Sequence, residues 1–303
     1  MNFDLDQADR ELQEGIRKLC SGRFSLGDAE AFPRSFWGEL RDAGVFSLRV
    51  GESEGGLGLG MTETVLVFEE LGRACVSGPL LGTGLAGRPE RVTGLVERGS
   101  PVVTHLEFLD DLVVVDDDGA WLVEPSDLDA TAVDDPLDPL TPLHRVSALP
   151  QGERIGDGQA WQRDGATLTA ALSMGIARAV TDLAVAYAGE REQFGKPIGS
   201  FQAVKHLCAD MLVRAEVARA AVHAAGVLLD EDAAGGAAHR AVHAAKLLAS
   251  EAAVANGKAC IQVHGGMGFT WEGVPHLYLK RAVVLASQFG GVDTHADAML
   301  APL

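Results

Sequence analysis

Several groups of side chains in this sequence have types and spacings that invite chemistry. The glycines between Gly51 and Gly60 suggest a phosphate cradle, but the dinucleotide fingerprint needs a strand leading into the loop and none is readable there. That signal is discounted. Glu69 and Glu70 are adjacent on a helical stretch, and neighbours on a helix diverge by about 100°, so they form no acid/base pair and one is expected to be solvated. His239 and His243, at i and i+4, share a helix face suited to a metal. No third ligand stands near in sequence, so they are read as solvent-facing imidazoles and no metal site is assigned. Cys20, Cys75, Cys208 and Cys260 show neither CxxC nor Cys/His ligand spacing and are read as reduced, structural thiols.

Composition limits what can position these groups. With 303 residues, 47% hydrophobic and 22% charged, the chain has the make-up of a soluble globular protein of two or three packed modules. Its 25 basic against 43 acidic side chains give a net charge of −18, which repels phosphate backbones and anionic membranes, so no nucleic-acid or membrane partner is expected. The opening MNFDLDQADR has no basic or apolar leader-like region, and no apolar run is read as reaching the roughly 18 residues of a membrane span. A cytoplasmic protein is expected.

Texture changes twice along the chain. Residues 1–99 read as a helical domain, with segments through Leu12, Ile16 and Leu19, through Phe36, Leu40 and Val45, and through Val65, Phe68 and Leu71. Residues 100–158 read as a small β segment of short apolar runs, Val102-Val103, Leu112 to Val115 and Trp121 to Val123, punctuated by turn residues. Within 101–150 there are 12 acidic residues and one basic, Arg145, read as a solvated, loop-rich surface. Residues 159–303 return to helix. Leu168, Leu172, Gly175, Ala179, Leu183 and Ala186 form one stripe, and Val204, Cys208, Met211, Ala215, Ala218 and Val222 a second. Ala241, Ala245, Leu248, Ala252 and Ala259 form a third, and a last helix runs through Leu277, Val284 and Leu285. So many alanines on the stripes allow close approach, which predicts a C-terminal four-helix bundle.

Two motifs in the last module carry a specific resemblance. Arg191-Glu192-Gln193-Phe194-Gly195-Lys196-Pro197-Ile198 with Phe201-Gln202, and Gln262-Val263-His264-Gly265-Gly266-Met267-Gly268-Phe269-Thr270 with Glu272, resemble the C-terminal domain of the acyl-CoA dehydrogenase family in order and separation. Phe36-Trp37, Ala43-Gly44, Gly55 to Gly60 and Glu69-Glu70-Leu71-Gly72 are similar to that family's first helical domain. The resemblance implies a mainly α fold: an N-terminal helical domain, a truncated middle β segment and a C-terminal four-helix bundle. It also implies FAD shared across a subunit interface, with Arg191, Gln193, Phe194, Gln262, Gly265 and Gly266 on the ADP side of a neighbour's flavin. Glycines at 265 and 266 leave backbone N–H groups open to a pyrophosphate. Glu272 resembles a structural cap and stays unassigned.

What the family needs for chemistry is missing. Its enzymes remove the α-proton of an acyl thioester with a glutamate while flavin takes the β-hydride. Gln288-Phe289-Gly290-Gly291, read as part of the last helix, stands where the family carries Tyr-Glu-Gly-Thr, so Phe289 replaces the base. Some members place the base instead 26 residues before the position of Arg191, and here that is Gly165. Asp164 is next door but on another helix face. The family's isoalloxazine-side motifs are not found between Pro101 and Gly158. The resemblance implies a non-catalytic subunit of a heteromeric acyl-CoA dehydrogenase. Its partner would be a longer subunit carrying the glutamate and its substrate an acyl-CoA, a steroid side-chain thioester included, with an electron-transferring flavoprotein as electron acceptor. Two rivals stand beside it: a self-sufficient homo-oligomeric flavoenzyme with Asp164 or no base, and a flavin-free helical scaffolding module.

Overall fold

The computed structural model describes residues 5–300; residues 1–4 of the stretch read for a leader lie outside the described residues. Helix α1 (Gln7–Arg23) starts at Asp6, whose carboxylate accepts from Asp9 N at 2.9 Å while Asp9 returns the bond to Asp6 N at 3.1 Å. This reciprocal cap satisfies two otherwise orphaned donors. Helices α2 (Arg34–Asp42), α3 (Met61–Arg73) and α4 (Leu80–Ala86) complete the first module. Val45, read as part of the second helix, lies beyond its end yet is buried.

The β region opens earlier than residue 100, because β1 (Thr93–Glu97) pairs in parallel with β3 (Asp111–Val115). With β4 (Ala120–Val123) and β7 (Glu153–Gly156) they form a four-stranded sheet in the order β1-β3-β4-β7. Strands β2 (Val102–Thr104), β5 (Ala130–Ala132) and β6 (Leu143–Val146) form a second sheet in the order β2-β6-β5. Val103, Leu112, Val114, Val123 and Val146 make a small core of their own. The acidic segment is not solvated throughout. Asp111 and Asp138 are buried, paired with Arg88 and Arg91 and with Arg281, and Asp116 pairs with Arg98. A buried carboxylate needs such a partner, and Arg281, which also donates to Val76 O at 2.8 Å, ties the sheets to the helices.

Four long or medium helices form the bundle: α5 (Gly158–Glu190), α6 (Gln202–Asp232), α7 (Gly236–His264) and α8 (Pro275–Ser287). A short α9 (Val292–Leu300), which the residue pattern did not reveal, follows α8. Between α5 and α6 lies the hairpin of β8 (Glu192–Gln193) and β9 (Lys196–Pro197). Helix α5 does have the length and apolarity of a membrane span, contrary to the sequence reading, but 78% of its apolar window is buried inside the protein. It is the central helix, and Asn256 of α7 holds it: Nδ2 donates to Ala177 O of α5 at 3.3 Å and to Met211 O of α6 at 2.8 Å. Both helical modules share one continuous core, where α3 crosses α5 at Gly72 and Gly175.

Candidate functional site

The six residues expected on the ADP side all lie exposed at one end of the bundle. Tyr187 of α5 and His264 of α7 stack at 4.2 Å, which brings the two motif-bearing chain segments together. Arg191 caps α5, and its guanidinium has no side-chain partner among the described residues. Gln193 donates to Glu192 O at 2.8 Å, and Phe194, at the left-handed hairpin turn with φ +55°, is 91% exposed. Gln262 is exposed one turn before the end of α7. Gly265 adopts φ +61° and ψ −137°, a conformation open to glycine alone. Gly266 has no such requirement, and a Cβ at either position would meet nothing within 4 Å. Gly265 N–H is itself spent on Gln262 O, so the unpaired Arg191 guanidinium, together with glycine backbone that no side chain covers, is what fits an anionic group brought from outside the chain.

At the other expected position a ring fills the space. Helix α8 ends at Ser287, so Gln288 to Gly291 form the link to α9 and not part of a helix, as the sequence reading had it. Phe289 is buried, and a Cβ on Gly165 would come within 2.5 Å of its Cζ. The two positions at which the resemblance led one to expect a base therefore face each other, and a phenyl ring occupies the gap. Asp164 turns elsewhere: its carboxylate pairs with Arg49 at 2.8 Å and Arg163 at 3.3 Å and lines a separate cleft with Trp161. It is committed to guanidinium partners.

Other groups read from sequence resolve differently. Neither Glu69 nor Glu70 is solvated: Glu69 accepts from Gln13 at 2.8 Å and pairs with His223 and Arg219, while Glu70 pairs with Arg17 at 2.7 Å. Those partners hold the Glu69 carboxyl below the usual carboxylate range in spite of its burial. The Gly51–Gly60 loop is a short 3-10 turn leading into α3, with Gly55 and Gly58 at positive φ, and no strand enters it. Of the pair His239 and His243, the first alone faces solvent. His243 is half-buried and meets His295 of α9, Nδ1 to Nδ1 at 2.7 Å. Burial, then the neighbouring imidazoles of His295 and His239, push the His243 pKa down to about 4. Among the described residues no set of three or more ligating side chains could hold a metal ion.

Three residues beside Phe289 escaped the sequence reading. Glu97 of β1 accepts from Phe289 N at 2.7 Å, His295 Nε2 donates to Phe289 O at 2.8 Å, and buried Lys246 donates to Leu285 O at 3.3 Å and Gly290 O at 3.4 Å. Only Lys246 left a readable trace, as a lone cation inside the apolar stripe of α7.

Residues 6–89 match the acyl-CoA dehydrogenase N-terminal domain and residues 163–298 the acyl-CoA dehydrogenase C-terminal domain. The acyl-CoA dehydrogenase IpdE2 of Mycolicibacterium smegmatis is 36% identical over 79% of this chain and 78% of its own length. FadE34 of Mycobacterium tuberculosis, also an acyl-CoA dehydrogenase, is 37% identical over 95% of this chain, which spans only 46% of that relative. In structure, a chain of the ChsE4-ChsE5 complex from Mycobacterium tuberculosis superposes with a TM-score of 0.85 over the whole of both chains at 22% identity, a likeness of fold. A chain of the Tcur3481-Tcur3483 steroid ACAD variant matches with a TM-score of 0.83 over 97% of this chain and 96% of its own, at 21% identity. With two domain matches and a relative aligned over most of both chains, this protein belongs to the acyl-CoA dehydrogenase family.

Proposed function

We propose that the chain is the non-catalytic subunit of a heteromeric FAD-dependent acyl-CoA dehydrogenase. It works beside a longer subunit that carries the catalytic glutamate. The observation that carries this reading is the phenyl ring of Phe289 packed over Gly165: neither family position offers a carboxylate, and the nearest acid on α5, Asp164, is held in ion pairs. Bound FAD supplies the acceptor for the β-hydride in an α,β-desaturation. This chain's part is to hold its phosphate end. Arg191 contributes charge, Gln262 an amide, and Gly265 and Gly266 a backbone that no side chain keeps from close approach, with Gln193 and Phe194 on the hairpin beside them. These groups face outward, as a site completed by another subunit requires.

The substrate is an acyl-CoA, with a steroid side-chain thioester as the proposed class. The name of one structural relative, a steroid ACAD, supports that class, and the name of another, a complex of two proteins, supports the heteromeric assembly. Electrons would pass to an electron-transferring flavoprotein, and the assembly would work in the cytoplasm. The test is to purify the chain alone and again after co-expression with a longer family member, and to record the visible flavin spectrum of each. Little or no flavin on the lone chain and a yellow complex are expected; one flavin per chain in a lone homo-oligomer would refute the proposal.

A further inference from the structure

Phe289 is held more firmly than core packing alone demands. Its φ of +53° lies in the left-handed region, which a residue with a side chain keeps only where its surroundings over-determine it. Three side chains from three elements do so here. Glu97 takes its N–H at 2.7 Å, His295 donates to its carbonyl at 2.8 Å, and Lys246 holds the Gly290 carbonyl at 3.4 Å. The contact between His295 and His243 reinforces this clamp. A carbonyl can only accept, so His295 carries a proton on Nε2; with both rings neutral its Nδ1 offers a lone pair and His243 donates to it from Nδ1.

The clamped turn stands between two clefts. One of ≈ 710 Å³ lies along β1, β2 and the end of α8, and one of ≈ 740 Å³ lies among α5, α7 and α9; Phe289, Gly290 and Glu97 line both. Each has the size of a small-molecule site. The ring stands over a residue with no side chain, so Gly165 has nothing of its own to fill the space if the ring is removed.

We propose that Phe289 is a clamped wall that keeps the two clefts apart and denies a ligand's flat apolar ring the place over Gly165. The chain's own pocket is thus closed by shape as well as lacking a base. This rests on the non-catalytic reading above and makes the asymmetry of the assembly steric, so that ligand occupancy is left to the partner. Without the phenyl group, the space should accept an apolar aromatic ring.

Indole serves as the probe, titrated calorimetrically into the purified full chain with its partner present, the partner's own indole uptake subtracted. Phe289→Ala is expected to bind indole at least tenfold more tightly than wild type, and Phe289→Leu, which keeps most of the volume, no better than threefold. His295→Leu leaves the ring in place but removes one arm of the clamp, and should gain measurable indole affinity. Equal affinity of wild type and Phe289→Ala overturns the proposal; should Phe289→Ala fail to fold, a His295→Leu variant as silent as wild type overturns it. The flavin colour of the lone wild-type chain tests the subunit reading separately, since it does not depend on indole affinity.

Discussion

On the proposed reading, a phenyl group at residue 289 stands in place of a base and also takes the room a base would need. Replacing it by a carboxylate sets a charge against the Gly165 backbone and beside Glu97, where the nearby Lys246 is already engaged with the Leu285 and Gly290 carbonyls. Desolvation and the neighbouring carboxylate both favour the protonated form, and a base acts only on a substrate and flavin already held in place. Phe289→Glu is therefore expected to leave the isolated subunit inactive towards acyl-CoA with an artificial electron acceptor, and to change the complex little. Turnover by the lone variant would mean a complete enzyme with one lost residue. Arg191 is the opposite case, exposed and unpaired in the chain. Loss of a charge-assisted contact to a phosphate is worth about 1.5–3 kcal/mol, so Arg191→Ala should weaken FAD retention by the complex about ten- to a hundredfold. Unchanged flavin affinity in equilibrium dialysis would take Arg191 out of the site.

At the scale of elements, the fold depends on how closely α3 and α5 cross. A Cβ on Gly175 would stand 2.0 Å from Glu69 O, and one on Gly72 2.1 Å from Leu172 O. Both obstacles are backbone, so neither can rotate away. Moving α3 would also strain Glu69 and Glu70, whose partners Gln13, Arg17 and His223 sit on α1 and α6. Gly175→Ala is expected to cost at least the roughly 1–3 kcal/mol typical of overpacking, read as a lowered urea midpoint with an unchanged slope. The longer helices were legible in the sequence, because an apolar stripe is a local signal that a few turns suffice to show, while the short α4 and α9 were not. The exposed face of Glu69-Glu70 was misjudged, because the cations that bury those carboxylates come from helices far away in the chain.

For the molecule as a whole, buried neutral histidines set an acid limit. Burial lowers the pKa of His105 to about 3 and that of His243 to about 4, and lowers that of His295 as well. Unfolded, each binds its proton near pH 6.5. Between that value and the folded pKa the unfolded chain binds more protons, so stability rises with pH there. Their contribution is complete above about pH 6.5 and is lost progressively as the pH falls towards the folded values. Urea midpoints should therefore begin to fall near pH 6.5, above the carboxylate range, with a slope of at most about 1.4 kcal/mol per pH unit for each histidine. The acid-side loss should shrink in His105→Phe; a flat profile down to about pH 5 would contradict the burial of all three as neutral rings.

The residues by themselves carried a resemblance to the family that the domain matches bear out, a texture of helix, strand and helix, and a phenylalanine at position 289. These follow from spacing within a motif or a few helical turns, and a count without gaps carries them. Tertiary structure alone decided that Gly165 and Phe289 meet, that His295 completes a contact with His243, and that Glu97 reaches from a strand to the α8–α9 link. Each joins positions at least 52 residues apart, and in the last two the element that supplies one partner, α9 or β1, showed no periodicity to announce it. Such pairs depend on the rotation and register with which packed elements settle against one another, and side-chain packing across the core sets both.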